Sequence, residues 1–125
     1  MKWDDEPDTK NWECCGYKCH ITRMEWIGTL NGYVGITEAH PLYHKNYDEI
    51  DRILNVHGGV TFAGLPLTAP DRNLWYIGFD TAHLGDFLPK QHNFPDNIYR
   101  DMEYVTEETE LLAKQIKELE TEDCA

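Results

Sequence analysis

Two stretches of this chain put histidines and carboxylates beside glycines: Val56-His57-Gly58-Gly59-Val60-Thr61-Phe62 and Trp75-Tyr76-Ile77-Gly78-Phe79-Asp80-Thr81-Ala82-His83-Leu84-Gly85-Asp86. Each opens as an apolar run of β-branched or aromatic residues and breaks at glycine, the way a strand end delivers polar groups to a cavity. His57, His83, Asp80 and Asp86 are therefore the candidate catalytic residues, with Gly58 and Gly59 as ligand-binding positions beside them. If the second strand ran through Asp86, the two aspartates would share a face and His83 would point away. In a helical turn all three would fall within about 120 degrees of arc, and Gly78 and Gly85 favour a turn.

Three chemistries stay open for this set. Two imidazoles and two carboxylates suit a divalent cation, although their spacing matches no established metal motif, so no metal ligand and no cofactor is assigned. His57 and His83 could instead act as general base and acid in phosphodiester or other hydrolysis, with Asp80 or Asp86 orienting a ring. In a purely structural role the aspartates would cap turns and the imidazoles would satisfy neighbouring polar groups.

Binding requires less than catalysis. Trp26, Tyr33, Tyr43, Tyr47, Trp75 and Tyr76 could stack a base, while Arg23, Arg52, Arg72, Lys90 or Arg100 could neutralise phosphate at close range. Tyr43, Arg72, Trp75 and Arg100 are the ligand-binding candidates, and the expected ligand is a small polar molecule, a nucleotide first. Gly-rich phosphate cradles are excluded, because neither GxxxxGK nor GxGxxG occurs. A two-histidine phosphodiesterase needs two His-x-Ser/Thr copies, and only His20-Ile21-Thr22 fits. Cys14, Cys15, Cys19 and Cys124 contain no CxxC pair and read as reduced thiols.

The elements that must position these residues follow from periodicity. Tyr17 to Met24 alternates, with Tyr17, Cys19, Ile21 and Arg23 on one face. After turn residues at Gly28 to Gly32, Tyr33-Val34-Gly35-Ile36 forms a second strand of an antiparallel hairpin. Asn46 and Glu49 resemble a reciprocal cap opening a short helix with Tyr47, Ile50, Ile53 and Leu54 on one side. Strands follow at Val56 to Phe62 and Leu74 to Phe79, joined by a breaker-rich excursion, residues 63–73, expected to form a flap near the site. A closing helix starting between Asp101 and Thr106 and running to about Glu120 carries an apolar stripe of Met102, Val105, Leu112, Ile116 and Leu119. The order β-β-α-β-β-α predicts an α+β domain with a mainly antiparallel sheet over residues 14–125, preceded by an acidic arm, residues 1–13, pinned by Trp3 or Trp12.

A chain of 125 residues is the size of one domain. No apolar run reaches the roughly 20 residues of a membrane span, and the acidic N-terminus lacks the apolar core of a signal peptide, so a cytoplasmic protein is expected. Of the net charge of -12, -7 lies in residues 101–125, which hold nine acidic residues and two lysines. That surface repels phosphate backbones and argues against general nucleic-acid binding. It also opens a rival reading, an acidic inhibitor docking a host protein through the C-terminal helix. The apolar and aromatic content is compatible with a homodimer.

Asn31-Gly32-Tyr33-Val34-Gly35, His40-Pro41-Leu42-Tyr43, the His57 segment, Gly78 to Asp86 and Tyr99-Arg100-Asp101-Met102-Glu103-Tyr104-Val105 occur in that order. Together they resemble an uncharacterised family of small proteins encoded by bacteriophages and bacterial mobile elements. The resemblance spans Tyr17 to Leu119 and implies a context, action on host defence in the host cytoplasm by capturing or hydrolysing a nucleotide signal, rather than a mechanism.

Overall fold

Strand β3 (Leu30–Ile36) is buried at every position because it is the central strand of a sheet covered on both faces. The computed structural model describes residues 2–124, with side chains through residue 120; Met1, Ala125 and the Cys124 thiol lie outside the described residues. The sheet also contains β1 (Thr9–Cys14), β2 (Tyr17–Arg23), β4 (Phe62–Gly64) and β5 (Trp75–Phe79). All neighbours pair antiparallel in the order β1-β2-β3-β5-β4. With the short helix α1 (Tyr47–Asp51) and the long helix α2 (Met102–Cys124) this is a small α+β domain. No helix of the described residues is long and apolar enough to cross a membrane.

Alternation sorts the side chains of β2, β3 and β5 between two cores. Ile21, Leu30, Val34, Ile36, Ile77 and Phe79 face α2, where they meet Val105, Leu112, Ala113 and Ile116. Burying each large aliphatic side chain contributes about 1.5–3 kcal/mol. Helix and sheet approach closely at Gly32, where a Cβ would lie 2.3 Å from Thr109 Oγ1. On the opposite face Tyr33, Tyr76 and Ala69 form a second cluster with Phe62 and Leu74.

Several expectations are corrected here. Residues 9–13, read as part of an arm, belong to edge strand β1, whose register runs from Thr9↔Thr22 to Cys14↔Tyr17. Its two-residue connection, Cys15 (φ 58) and Gly16 (φ 85), has the paired positive φ of a type I′ hairpin. The preceding residues are tied down as well: Trp3 packs 5.0 Å from Phe87, and Glu6 accepts from the Met102 backbone at 2.8 Å. Trp12 pins β1 by donating to Glu110 at 3.0 Å.

Residues 56–61 are a turn and not a strand, because Gly58 (φ 67) and Gly59 (φ 86) take left-handed backbone. The Asn46 side chain makes no cap hydrogen bond, and Tyr47 and Ile53 are exposed while Ile50 and Leu54 are buried. The 63–73 excursion is not a flap over the histidines. It covers the Tyr33–Tyr76 face, with Thr68 Oγ1 3.0 Å from His20 Nε2 and Ala69 in the second core.

Candidate functional site

The chain leaves β5 at Phe79 and turns sharply. Asp80 Oδ1 accepts from the Ala82 backbone at 3.0 Å, Thr81 Oγ1 donates to the Leu30 carbonyl at 2.8 Å, and Asp86 Oδ2 accepts from the His83 backbone at 3.0 Å. These bonds fix a compact 80–86 turn against the start of β3. The 56–60 turn packs on it, and its position is set by Asp51 Oδ1 accepting from the Val60 backbone and Glu108 Oε1 from the His57 backbone, each at 2.8 Å. The His83 ring lies on Gly58, where a Cβ would come within 2.2 Å of it.

Both stretches thus meet, and the His57 and His83 ring centroids are 6.0 Å apart. The four residues then divide. His57 Nε2 lies 3.0 and 2.9 Å from the two oxygens of Asp86, and its Nδ1 lies 2.7 Å from the Tyr104 hydroxyl. Arg100 Nε donates to Asp86 Oδ1 at 2.9 Å, with the guanidinium 5.0 Å from the Tyr104 ring centroid. The Asp86 side chain is 1% exposed. Burial pushes its carboxyl up, but hydrogen bonds from His57, Arg100 and the His83 backbone outweigh that and hold it below the usual carboxylate range. This is an internal clamp joining the 56–60 turn, the 80–86 turn and the first turn of α2.

His83 and Asp80 face outward, with side chains 33% and 31% exposed. His83 Nε2 lies 3.0 Å from Asp80 Oδ1, within ion-pair distance but without hydrogen-bond alignment. Both residues line a cleft of about 280 Å³ together with Met24, Ile27, Thr29, Asn31 and Ala82. The register explains the meeting: Gly32 pairs with Phe79, so Asn31 and Asp80 are the next opposed positions at one end of the sheet. Asn31 Nδ2 donates to the Tyr33 hydroxyl at 3.2 Å. Among the described residues, Asn31 Oδ1, Thr29 Oγ1 and His83 Nε2 are buried without a hydrogen-bond partner, as are Tyr17 OH, Trp75 Nε1 and Tyr76 OH away from this cleft.

The other ligand-binding candidates are not brought to this cleft. Trp75 starts β5, at the end remote from Asp80, and packs with Tyr43 and His44 at centroid separations of 6.2 and 4.8 Å. Arg72 is exposed on the 63–73 excursion, 3.5 Å from the Leu67 carbonyl. Among the described residues no group of three or more His, Cys, Asp or Glu side chains is placed to hold a metal ion. Comparison with protein-family models, curated proteins and solved structures finds no match to this chain.

Sequence reasoning missed Thr29, Asn31, Tyr104 and Glu108 as parts of this region. Asn31 is a polar residue inside an apolar strand, the one signal that could have found it.

Proposed function

We propose that the chain binds a small polar ligand, rich in hydrogen-bond donors, in the cleft between residues 24–31 and 80–83, and holds it without turning it over. The observation that carries this reading is that three of the six buried side-chain atoms without a hydrogen-bond partner among the described residues, Thr29 Oγ1, Asn31 Oδ1 and His83 Nε2, belong to residues lining that one cleft. An unpaired buried polar group costs about 1–3 kcal/mol, which a ligand that pairs it recovers.

Sequestration is favoured over hydrolysis because both His57 ring nitrogens are already engaged, by Asp86 and by Tyr104. An acid–base pair of imidazoles would need one of those bonds to break, and His83 Nε2 itself sits 3.0 Å from Asp80 Oδ1. The motif resemblance to mobile-element proteins keeps a nucleotide signal of host defence first among candidate ligands. The rival inhibitor reading relies on acids of α2, and two of them serve the fold: Glu108 holds the His57 backbone and Glu110 holds Trp12.

The test is retention. Purified protein is incubated with ribonucleosides, linear and cyclic nucleotides and monosaccharides, separated from free ligand, denatured, and the released molecules weighed by mass spectrometry. At least one compound should be retained, returned intact, and lost in Asn31→Leu and Asp80→Ala. Release of a hydrolysed product overturns the sequestration reading; no retention, or retention indifferent to both substitutions, overturns the cleft.

A further inference from the structure

The geometry points to a ligand that enters this cleft by the ribose of a nucleoside, its hydroxyls toward Asp80 and Asn31, its base over Trp26 and any phosphate out in solvent. The inference rests on the cleft being the binding site and specifies which end of the ligand it holds. Polarity decides the first part. Asp80 and the free Oδ1 of Asn31 are acceptors, and no lysine or arginine lines the cleft. Asp80 already accepts from Thr61 Oγ1 and the Ala82 backbone, each at 3.0 Å, which fixes its orientation and leaves carboxylate lone pairs for further donors. A fixed carboxylate beside an amide oxygen matches a pair of vicinal hydroxyls, since each hydroxyl donates one hydrogen.

The same lining disfavours phosphate, because Asp80 repels it and the nearby cations are committed. Arg23 is bound to Asp8 at 2.7 Å and to the Gly28 carbonyl at 2.8 Å, Lys90 Nζ donates to the Glu25 carbonyl at 2.7 Å, and Arg100 is paired with Asp86. The expectation that Arg72 or Arg100 neutralises phosphate therefore does not apply at this cleft.

Shape decides the second part. Met24 and Ile27 form the apolar wall, and Trp26, in the same turn, is 79% exposed. That turn is braced from outside, with the Lys90 backbone donating to the Ile27 carbonyl at 3.0 Å and Gln91 Nε2 to the Trp26 carbonyl at 3.2 Å. A held turn that carries an exposed indole between the lining residues Met24 and Ile27 offers a planar base a ring to stack on.

Calorimetric titration of the full chain with adenosine, guanosine, cytidine and uridine, their 2′,3′-dideoxy counterparts and their 5′-monophosphates tests this. At least one ribonucleoside should bind, its dideoxy form about tenfold or more weaker, its monophosphate no tighter, and Trp26→Ala should weaken binding about tenfold while Trp26→Phe retains most of it. Equal binding of the dideoxy form, much tighter binding of the monophosphate, or indifference to Trp26→Ala overturns the inference. If a monosaccharide is retained in an Asn31-dependent way and no nucleoside binds, this inference fails and the cleft stands; if nothing binds, both fail.

Discussion

His57 and Asp86, 29 residues apart in sequence, meet at 2.9 Å inside the fold, and the carboxylate they share with Arg100 is almost wholly buried. The pair closes two turns onto the start of α2 and so holds the His83 ring where the cleft needs it. Removing the carboxylate leaves three donors, His57, Arg100 and the His83 backbone, without an acceptor. Asp86→Ala should therefore destabilise the chain by about 3–5 kcal/mol in urea unfolding.

Acid should act through the same group. The Asp86 carboxyl is held below its ordinary value despite burial, by His57, Arg100 and the His83 backbone. Its contribution is complete above the unfolded value, about 3.9, and is lost as pH falls through the lower folded value. Stability of the wild type should drop more steeply below pH 4 than that of Asp86→Asn, measured by denaturant titration at each pH.

A second pH window belongs to His20, which is 1% exposed between Asn11 Oδ1 at 2.7 Å and Thr68 Oγ1 at 3.0 Å. Burial lowers its pKa, so the fold favours the neutral ring. That stability is present above the unfolded value of about 6.5 and is lost as pH falls from there through the folded value. Thermal unfolding between pH 7 and 5 should show this slope, and His20→Gln should flatten it.

Gly58 and Gly85 separate backbone strain from close approach. Both have positive φ, 67° and 95°, but a Cβ would strike the His83 ring at Gly58 and meets nothing within 4 Å at Gly85. Gly85→Ala should cost about 1 kcal/mol and leave ligand retention intact. Gly58→Ala should cost more and, by displacing His83, weaken retention.

Much of this arrangement was legible in the residues. Alternation located β2, apolar runs beside turn residues located β3 and β5, which are buried on both faces, and the apolar stripe located α2, which buries one face against the sheet. Strand β1 was hidden because Lys10, Asn11 and Glu13 make an edge strand read as an acidic arm. Val56 to Phe62 read as a strand from its apolar residues, but adjacent left-handed glycines bend it into the turn that carries His57. The proximity of His57, Asp80, His83 and Asp86 was readable from the glycines beside them, although only Asp80 follows directly on a strand. Which of them faces solvent was not, since that depends on Tyr104 and Arg100 arriving from α2 and the segment before it. Tyr43 and Trp75 fell away from the cleft because β5 separates Trp75 from Asp80 by roughly 17 Å at the usual rise per residue.

The most direct test of the cleft is a two-dimensional amide NMR spectrum of isotope-labelled protein, recorded during titration with the compound retained most strongly in the mass-spectrometric screen. The account predicts shifts concentrated in residues 24–31 and 80–83, and their loss in Asn31→Leu. Shifts centred instead on Tyr43, Arg72 and Trp75, or on the exposed acids of α2, would contradict it.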